Sequence, residues 1–162
     1  MPYNNRAITD PKAFFQNMLV LFYALAFSQV LFFIIAFLFK QTDEQLHRVF
    51  QYIILVWIIF VIVSSPIFYL YALKRRLKPD LALVKKLEIY RSANIIKLAF
   101  LQGAALLSIV SLLIVGKPYY AYLFLAVFMA YLINRPSVAK CIADLNLNAQ
   151  EQQSIRTNKP FS

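Results

Sequence analysis

Few polar side chains lie inside the four long apolar stretches of this sequence, and those best suited to chemistry there carry no charge. The third stretch contains Asn94 and Gln102, and the second contains Ser64 and Ser65 just before Pro66. Amides and hydroxyls at such depth can hydrogen-bond between helices in lipid or line a polar path for a solute. We expect a kink beside the two serines, because proline cannot donate a backbone hydrogen bond. Hydrogen bonding between helices is the interpretation that we favour.

The seven acidic residues all lie outside the apolar stretches. They are Asp10, Asp43, Glu44, Asp80, Glu88, Asp144 and Glu151. A relay that moves protons or cations through hydrocarbon usually needs an ionisable group at depth, where its burial is costly. The sequence therefore argues against ion-coupled transport.

The remaining reactive side chains each stand alone. His47 is the single histidine and has no cysteine near it, whereas a metal site needs several converging ligands. Cys141 is the single cysteine, so no disulfide can form within the chain. No Ser–His–acid set, phosphate-binding loop or zinc-protease motif can be assembled. We therefore predict a protein that is not an enzyme, with no metal and no cofactor.

Four apolar stretches must position these side chains, and each has the composition of a membrane span. Of 162 residues, 61% are hydrophobic, which is well above the content of soluble domains. We predict spans at about 14–39, 49–73, 92–115 and 119–134, against the ~20 residues that cross ~30 Å of hydrocarbon. Gly116, Lys117 and Pro118 alone separate the last two spans, which indicates a tight helical hairpin. The predicted fold is an all-α membrane protein, an antiparallel four-transmembrane-helix bundle with cytoplasmic helical extensions.

Basic residues concentrate on one side of the predicted spans. Of the 17 lysines and arginines, 13 fall in the N-terminal segment, the second loop and the C-terminal segment, and three fall in the first and third loops. The remaining one, Lys97, lies near the start of span three, where its side chain can extend to the headgroups. The positive-inside rule then places both termini and the second loop in the cytoplasm. Membrane topology and attraction to anionic headgroups account for the charge, so we expect no nucleic-acid partner.

The chain divides into three parts by composition. Residues 1–13 form a polar cytoplasmic N-terminus, 14–134 the four-helix transmembrane domain, and 135–162 a cytoplasmic C-terminal helical tail. In the second loop, we expect a helix to begin at about Pro79 and to continue into span three as one long rod. In the tail, we expect a short helix after Ser137 that ends at about Leu145. Asn148 and Glu151 have capping-box spacing for a further helix.

Small residues mark span three as a packing surface. Ala99 and Gly103 are four residues apart, and so are Ala104 and Ser108. Small residues at this spacing let two helix backbones approach closely in lipid. The segment therefore predicts contact with another helix, either of this chain or of a partner.

Most of the segment from Tyr90 to Leu147 consists of the run YRSANIIKLAFLQGAALLSIVSLLIVG, an apolar span, and RPSVAKCIADLNL. This pattern resembles a widespread set of uncharacterised small four-span proteins of bacterial inner membranes. The resemblance implies a bacterial cytoplasmic membrane protein and brings no established activity. Many members of that set carry an acidic residue where this chain has Gln102, so the chain departs from them at that position.

Three functional hypotheses follow. We favour a non-catalytic accessory, scaffold or assembly subunit that joins a homo-oligomer or a larger membrane protein complex in the lipid bilayer. The second is a small transporter or channel for a solute that is not coupled to protons, with a path along the amides and serines beside Pro66. The third is a protein that binds anionic lipid through a basic cluster after span two, namely Lys74, Arg75, Arg76 and Lys78.

Overall fold

The computed structural model describes residues 11–41, 44–78 and 81–157, apart from the side chains at 44–47, 49, 50 and 156. These ranges are helical and contain no strand. The helices are α1 (Pro11–Phe39), α2 (Glu44–Arg76), α3 (Leu83–Val115), α4 (Pro118–Ile133), α5 (Val138–Leu145) and α6 (Ala149–Arg156). The all-helical prediction is confirmed for this part of the chain. The predicted helix start at Pro79 lies outside the described residues.

Three helices are long and apolar enough to cross a membrane by themselves. They are α1, the 51–76 part of α2, and α3, with mean hydropathies of 2.4, 2.6 and 2.4. Helix α4 has 16 residues, or about 24 Å at 1.5 Å per residue, which is short of the ~30 Å of hydrocarbon. It qualifies as a span only together with α5, from which it is bent by 73°. Residues 11–41, 44–78 and 81–157 thus contain three to four candidate spans, as expected of a multi-pass membrane protein.

The turn between α3 and α4 is the tight hairpin that the sequence predicts. Gly116 has a φ of 72°, in the left-handed region that favours glycine, and its N–H donates to the carbonyl oxygen of Leu112 at 2.9 Å. Pro118 is the first residue of α4, where its missing N–H leaves no helical hydrogen bond unmade. Glycine therefore ends one helix and proline starts the next.

Helices α2 and α3 each contain 33 residues. Helix α2 continues through Pro66 to Arg76. Helix α3 is the predicted long rod, although it begins at Leu83, after an N-cap at Ala82 that has no side-chain hydrogen bond. At 1.5 Å per residue it is about 50 Å long, so part of it must extend beyond ~30 Å of hydrocarbon.

Helix α3 lies at the centre of the fold and contacts α1, α2 and α4. Phe68 stacks on Phe100 of α3, while the earlier α2 residue Tyr52 shares a groove with Leu107. Residue numbers therefore rise along α2 as they fall along the adjacent part of α3, which makes the two helices antiparallel. Helices α1 and α4 are antiparallel for the same reason, because Phe22 stacks on Tyr131 and Phe33 on Phe124. Buried apolar side chains of all four helices form one cluster along these contacts.

A second apolar cluster closes the end of the fold at which α2 ends and α3 begins. We call this end the basic end, because Lys74, Arg75 and Arg76 lie there, and the opposite one the hairpin end. The start of α1 and both tail helices contribute to the cluster, which contains Phe14, Phe15, Met18, Tyr69, Leu73, Leu87, Tyr90, Ala93, Cys141, Leu145, Leu147 and Ile155. The described beginning and end of the chain therefore lie at the same end of the molecule. The predicted tail helix to Leu145 is confirmed, and so is the capping box of Asn148 and Glu151.

Candidate functional site

A pair of glutamines joins α1 to α3 inside the apolar part of the fold. The Nε2 of Gln29 donates to the Oε1 of Gln102. Gln29 is fully buried, and its own Oε1 has no hydrogen-bond partner in the described part of the chain. Gln29 precedes the end of α1 by ten residues, or about 15 Å, which is half the thickness of the hydrocarbon. The amide pair therefore makes a specific contact between two helices well inside the apolar length of α1.

The other polar candidates bond to backbone carbonyls instead of gathering around Gln102. The Nδ2 of Asn94 donates to Tyr90 O at 2.9 Å within α3. The hydroxyl of Ser64 donates within α2, and that of Ser65 donates to Lys97 O of α3 at 3.4 Å. Both serines and Asn94 are buried. These contacts satisfy the polar groups locally and do not by themselves form a path.

The two small-residue pairs of α3 face in different directions. Ala104 and Ser108 are fully buried, and the Ser108 hydroxyl donates to Ala104 O at 3.0 Å. Ala99 and Gly103 are exposed, and a Cβ added at Gly103 would meet no atom within 4 Å. One pair therefore packs inside the chain, and the other leaves an open notch on its surface.

The open notch belongs to a longer surface along the junction of α2 and α3, which we call the α2–α3 face. Its middle part is a groove of about 270 Å³ lined by Trp57, Val61, Ala99, Phe100 and Gly103. Towards the hairpin end there is an apolar groove of about 670 Å³, which shares Trp57 and adds Tyr52, Ile53, Val56, Phe60 and Leu107. Towards the basic end there is a third groove of about 560 Å³, lined by Phe68, Tyr71, Ala72, Arg75, Arg76 and Ile96.

The basic cluster after span two is divided between two places. Arg75 and Arg76 line the third groove, and Arg75 Nη1 donates to the hydroxyl of Tyr71 at 2.9 Å. Lys78 lines a different pocket, which it shares with Lys86 and the tail. Lys74 is exposed and is not among the residues that line the third groove. The four candidates for lipid binding are therefore not equivalent.

The tail is fixed to the basic end by two contacts that the sequence analysis missed. Lys86 Nζ and Glu151 Oε1 form an ion pair at 2.7 Å, with side-chain exposures of 9% and 15%. The Tyr69 hydroxyl donates to a carboxylate oxygen of Asp144. The partners are 65 and 75 residues apart in sequence, so no local pattern links them. The capping-box spacing identified Glu151 but not its second role as the partner of Lys86.

Lys97 lies over the ring of Tyr69, with its Nζ 4.7 Å from the ring centroid. An ammonium group at this distance from an aromatic face is attracted by the ring. The lysine is half-buried, so its side chain is held beside α2. This contact directs the charge towards the basic end, as the prediction that Lys97 extends to the headgroups requires.

Cys141 is fully buried in the apolar cluster at the basic end. Burial, together with the neighbouring charge of Asp144, raises the pKa of the Cys141 thiol to about 12. Such a thiol is inert, because the thiolate is the reactive form. In the described part of the chain, no three of His, Cys, Asp or Glu come together as metal ligands. The side chain of His47 lies outside that part.

Comparisons with protein-family models, with curated proteins and with solved structures find no match to this chain. The resemblance of residues 90–147 to small four-span bacterial proteins therefore stays a prediction. The arrangement of the side chains is what bears on function.

Proposed function

We propose that this chain is a non-catalytic integral membrane protein that acts as an accessory, scaffold or assembly subunit of a homo-oligomer or of a larger membrane complex. It crosses the membrane as an antiparallel bundle of four helices, in which α4 is the short fourth span. Its basic end lies in the cytoplasm, in keeping with the positive-inside rule. The bacterial inner membrane is the location that the resemblance implies.

The exposed notch at Ala99 and Gly103 is the observation that carries this proposal. Ala104 and Ser108 pack inside the chain, whereas no atom of the described residues lies within 4 Å of a Cβ added at Gly103. In lipid, an exposed small-xxx-small pair allows a second helix backbone to approach closely, which gains van der Waals contact. Trp57 and Val61 of α2 form the other wall of the groove. The surface therefore suits a transmembrane helix of a second copy or of a partner protein.

The proposal is tested by the mass of the protein in nanodiscs made from native membranes. We expect a mass larger than one chain, or one recurrent partner protein. Gly103→Leu fills the notch and is expected to weaken the association about tenfold, a loss within the range of helix contacts in lipid. Ala126→Leu is the matched control, because Ala126 is exposed on α4, away from the notch. A monomer without a recurrent partner would count against the proposal.

The alternative of a small transporter or channel has less support from the arrangement. The observation in its favour is the partnerless Oε1 of Gln29 beside Gln102. Against it, Asn94, Ser64 and Ser65 bond to backbone carbonyls. Solute flux into liposomes containing the purified protein, lost in Gln102→Leu but retained in Ser108→Ala, would favour the alternative.

A further inference from the structure

We propose that the groove at the basic end of the α2–α3 face binds an anionic phospholipid. The guanidinium groups of Arg75 and Arg76 hold the headgroup phosphate, and one acyl chain lies along Phe68 and Ile96. This site is separate from the notch at Gly103 on which the proposed function rests. Of the basic cluster after span two, Arg75 and Arg76 line this groove, whereas Lys74 and Lys78 do not.

The headgroup part of the groove is built to hold a negative charge. Arg75 and Arg76 are adjacent and exposed at the end of α2, and none of the six residues that line the groove is acidic. Tyr71 accepts a hydrogen bond from Arg75 Nη1 at 2.9 Å, and the guanidinium carbon lies 5.7 Å from the tyrosine ring centroid. Both contacts orient the guanidinium group, whose planar fork of donors matches the oxygens of a phosphate.

The lower part of the groove is apolar and extends into the membrane. Phe68 stacks flat on Phe100, with ring centroids 5.2 Å apart and an interplanar angle of 7°. Phe68 and Ile96 line the groove, and Phe100 supports the Phe68 ring. Phe68 is seven residues from Arg75, or about 10 Å along α2, which lies within the ~15 Å of one leaflet. A lipid with its phosphate at the arginines can therefore place an acyl chain against the ring stack.

The division between a cationic upper part and an apolar lower part indicates a phospholipid and not a helix of a partner. A transmembrane helix would meet the two arginines with a hydrocarbon surface and bury their charges at high cost. A phospholipid supplies a phosphate at the level of the arginines and hydrocarbon below it. Anionic phospholipids are also abundant in the cytoplasmic leaflet, where the proposed topology places the basic end.

The test uses one tryptophan as a reporter of the lipid in the groove. The variant Trp57→Phe/Phe68→Trp places the single tryptophan in the apolar part of the groove. The variant is reconstituted in phosphatidylcholine bilayers to which one brominated lipid is added, either brominated phosphatidylglycerol or brominated phosphatidylcholine. The bromine atoms are on the acyl chains, and they quench tryptophan fluorescence on contact. The native chain is the positional control, since Trp57 is 18 residues, or about 27 Å, from Arg75 along α2.

We expect the reporter at 68 to prefer brominated phosphatidylglycerol over brominated phosphatidylcholine by about fivefold for each arginine, or roughly 25-fold for the two. The preference should fall close to one when Arg75→Gln and Arg76→Gln are added. Lys74→Gln with Lys78→Gln removes the same charge outside the groove and should lower the preference by no more than about twofold. Trp57 of the native chain should show no preference.

Two results would overturn the proposal. The first is equal quenching by the two brominated lipids at position 68. The second is an equal loss of preference in the arginine and lysine variants, which would mean diffuse attraction to the surface and no bound lipid. Neither result depends on whether Gly103 forms a contact with another chain, so the two proposals can fail separately. Circular dichroism of each variant in the same bilayers checks that it is folded.

Discussion

Gln29 places an amide oxygen in the apolar core with no hydrogen-bond partner among the described residues, while its amide nitrogen donates to Gln102. A buried polar group without a hydrogen bond costs about 1–3 kcal/mol of stability. The amide oxygen of Gln29 therefore lowers the free energy of unfolding. The contact between the amides offsets part of that cost. In bilayers such contacts contribute about 0.6 kcal/mol on average, which is too little to make the pair a major source of stability.

Replacing both glutamines should therefore be less harmful than replacing one. We expect Gln102→Leu alone to destabilise the protein by about 1–3 kcal/mol, because it leaves the whole Gln29 amide unpaired. The double variant Gln29→Leu/Gln102→Leu should be as stable as the parent or more stable. Reversible unfolding in mixed detergent, arranged as a double-mutant cycle, measures both values. A double variant that is less stable than either single variant would contradict this account and indicate a further polar contact of the pair.

The chain contains two glycines, and their environments predict opposite effects of the same substitution. Gly116 is left-handed at a φ of 72°, so Gly116→Ala should destabilise the hairpin by about 1–2 kcal/mol. Gly103 is inside a helix, with nothing within 4 Å of an added Cβ, so Gly103→Ala should stabilise the monomer by up to about 1 kcal/mol. Thermal unfolding of the two variants under one condition tests the difference. Equal destabilisation would mean that Gly103 is packed against something in the sample.

At the scale of whole elements, α6 is attached to the basic end by one ion pair together with the apolar contacts of Ile155. Lys86 and Glu151 are both mostly buried, and Glu151 also accepts from the backbone N–H of Asn148 at 2.9 Å as part of the capping box. A single carboxylate thus caps α6 and holds it against α3. Removing it leaves the Lys86 ammonium without its partner at a site where water reaches it poorly.

Glu151→Gln should consequently release the tail without unfolding the long helices. We expect a loss of about 1–3 kcal/mol in the closing of α6, which is about 5-fold to 150-fold faster local opening in hydrogen exchange of residues 149–156. Exchange in α3 near Leu101 should not change. Glu88→Gln is the matched control, because Glu88 is an exposed carboxylate on the same helix as Lys86. Unchanged exchange in α6 of Glu151→Gln would show that apolar contacts alone hold the tail.

The orientation of the whole molecule can be tested by thiol labelling, but not with the native cysteine. Cys141 is fully buried, so its failure to react would not report a side of the membrane. The test therefore needs Cys141→Ser together with a new cysteine at an exposed position, either Gln41→Cys near the hairpin end or Ala149→Cys at the basic end. In intact cells, a membrane-impermeant reagent should label the first variant and not the second. As a control, both variants should be labelled in opened cells. Labelling of Ala149→Cys but not of Gln41→Cys in intact cells would contradict the proposed topology.

The sequence predicted those parts of the fold that depend on local chemistry. Hydropathy located the apolar helices, and Gly116 with Pro118 specified the hairpin. The sequence could not distinguish the exposed pair Ala99 and Gly103 from the buried pair Ala104 and Ser108, because both have the same spacing and both are surrounded by apolar residues. Which side of a helix is buried depends here on the arrangement of the other helices, because in lipid both the buried and the exposed surfaces are apolar.

The sequence offered candidate polar and basic side chains, but not the contacts that they make in the fold. The amide of Gln102 was expected to hydrogen-bond to a neighbouring helix, and the fold pairs it with Gln29 of α1. Sequence analysis named Arg75 and Arg76 with two lysines, and the fold placed the arginines alone in the groove beside Phe68. Contacts over 65 or more residues, such as that of Lys86 with Glu151, have no local signature.

The central position of α3 also has a consequence for biosynthesis. Helix α1 is complete roughly 75 residues before α3 ends, and at about 5–20 residues per second the ribosome needs roughly 4–15 s to make that stretch. During this interval the amide of Gln29 has no Gln102 to meet, and the aromatic rings of α1 have no α4 to stack on. The newborn chain must therefore pass through a stage in which its first two helices are complete but cannot yet pack on α3.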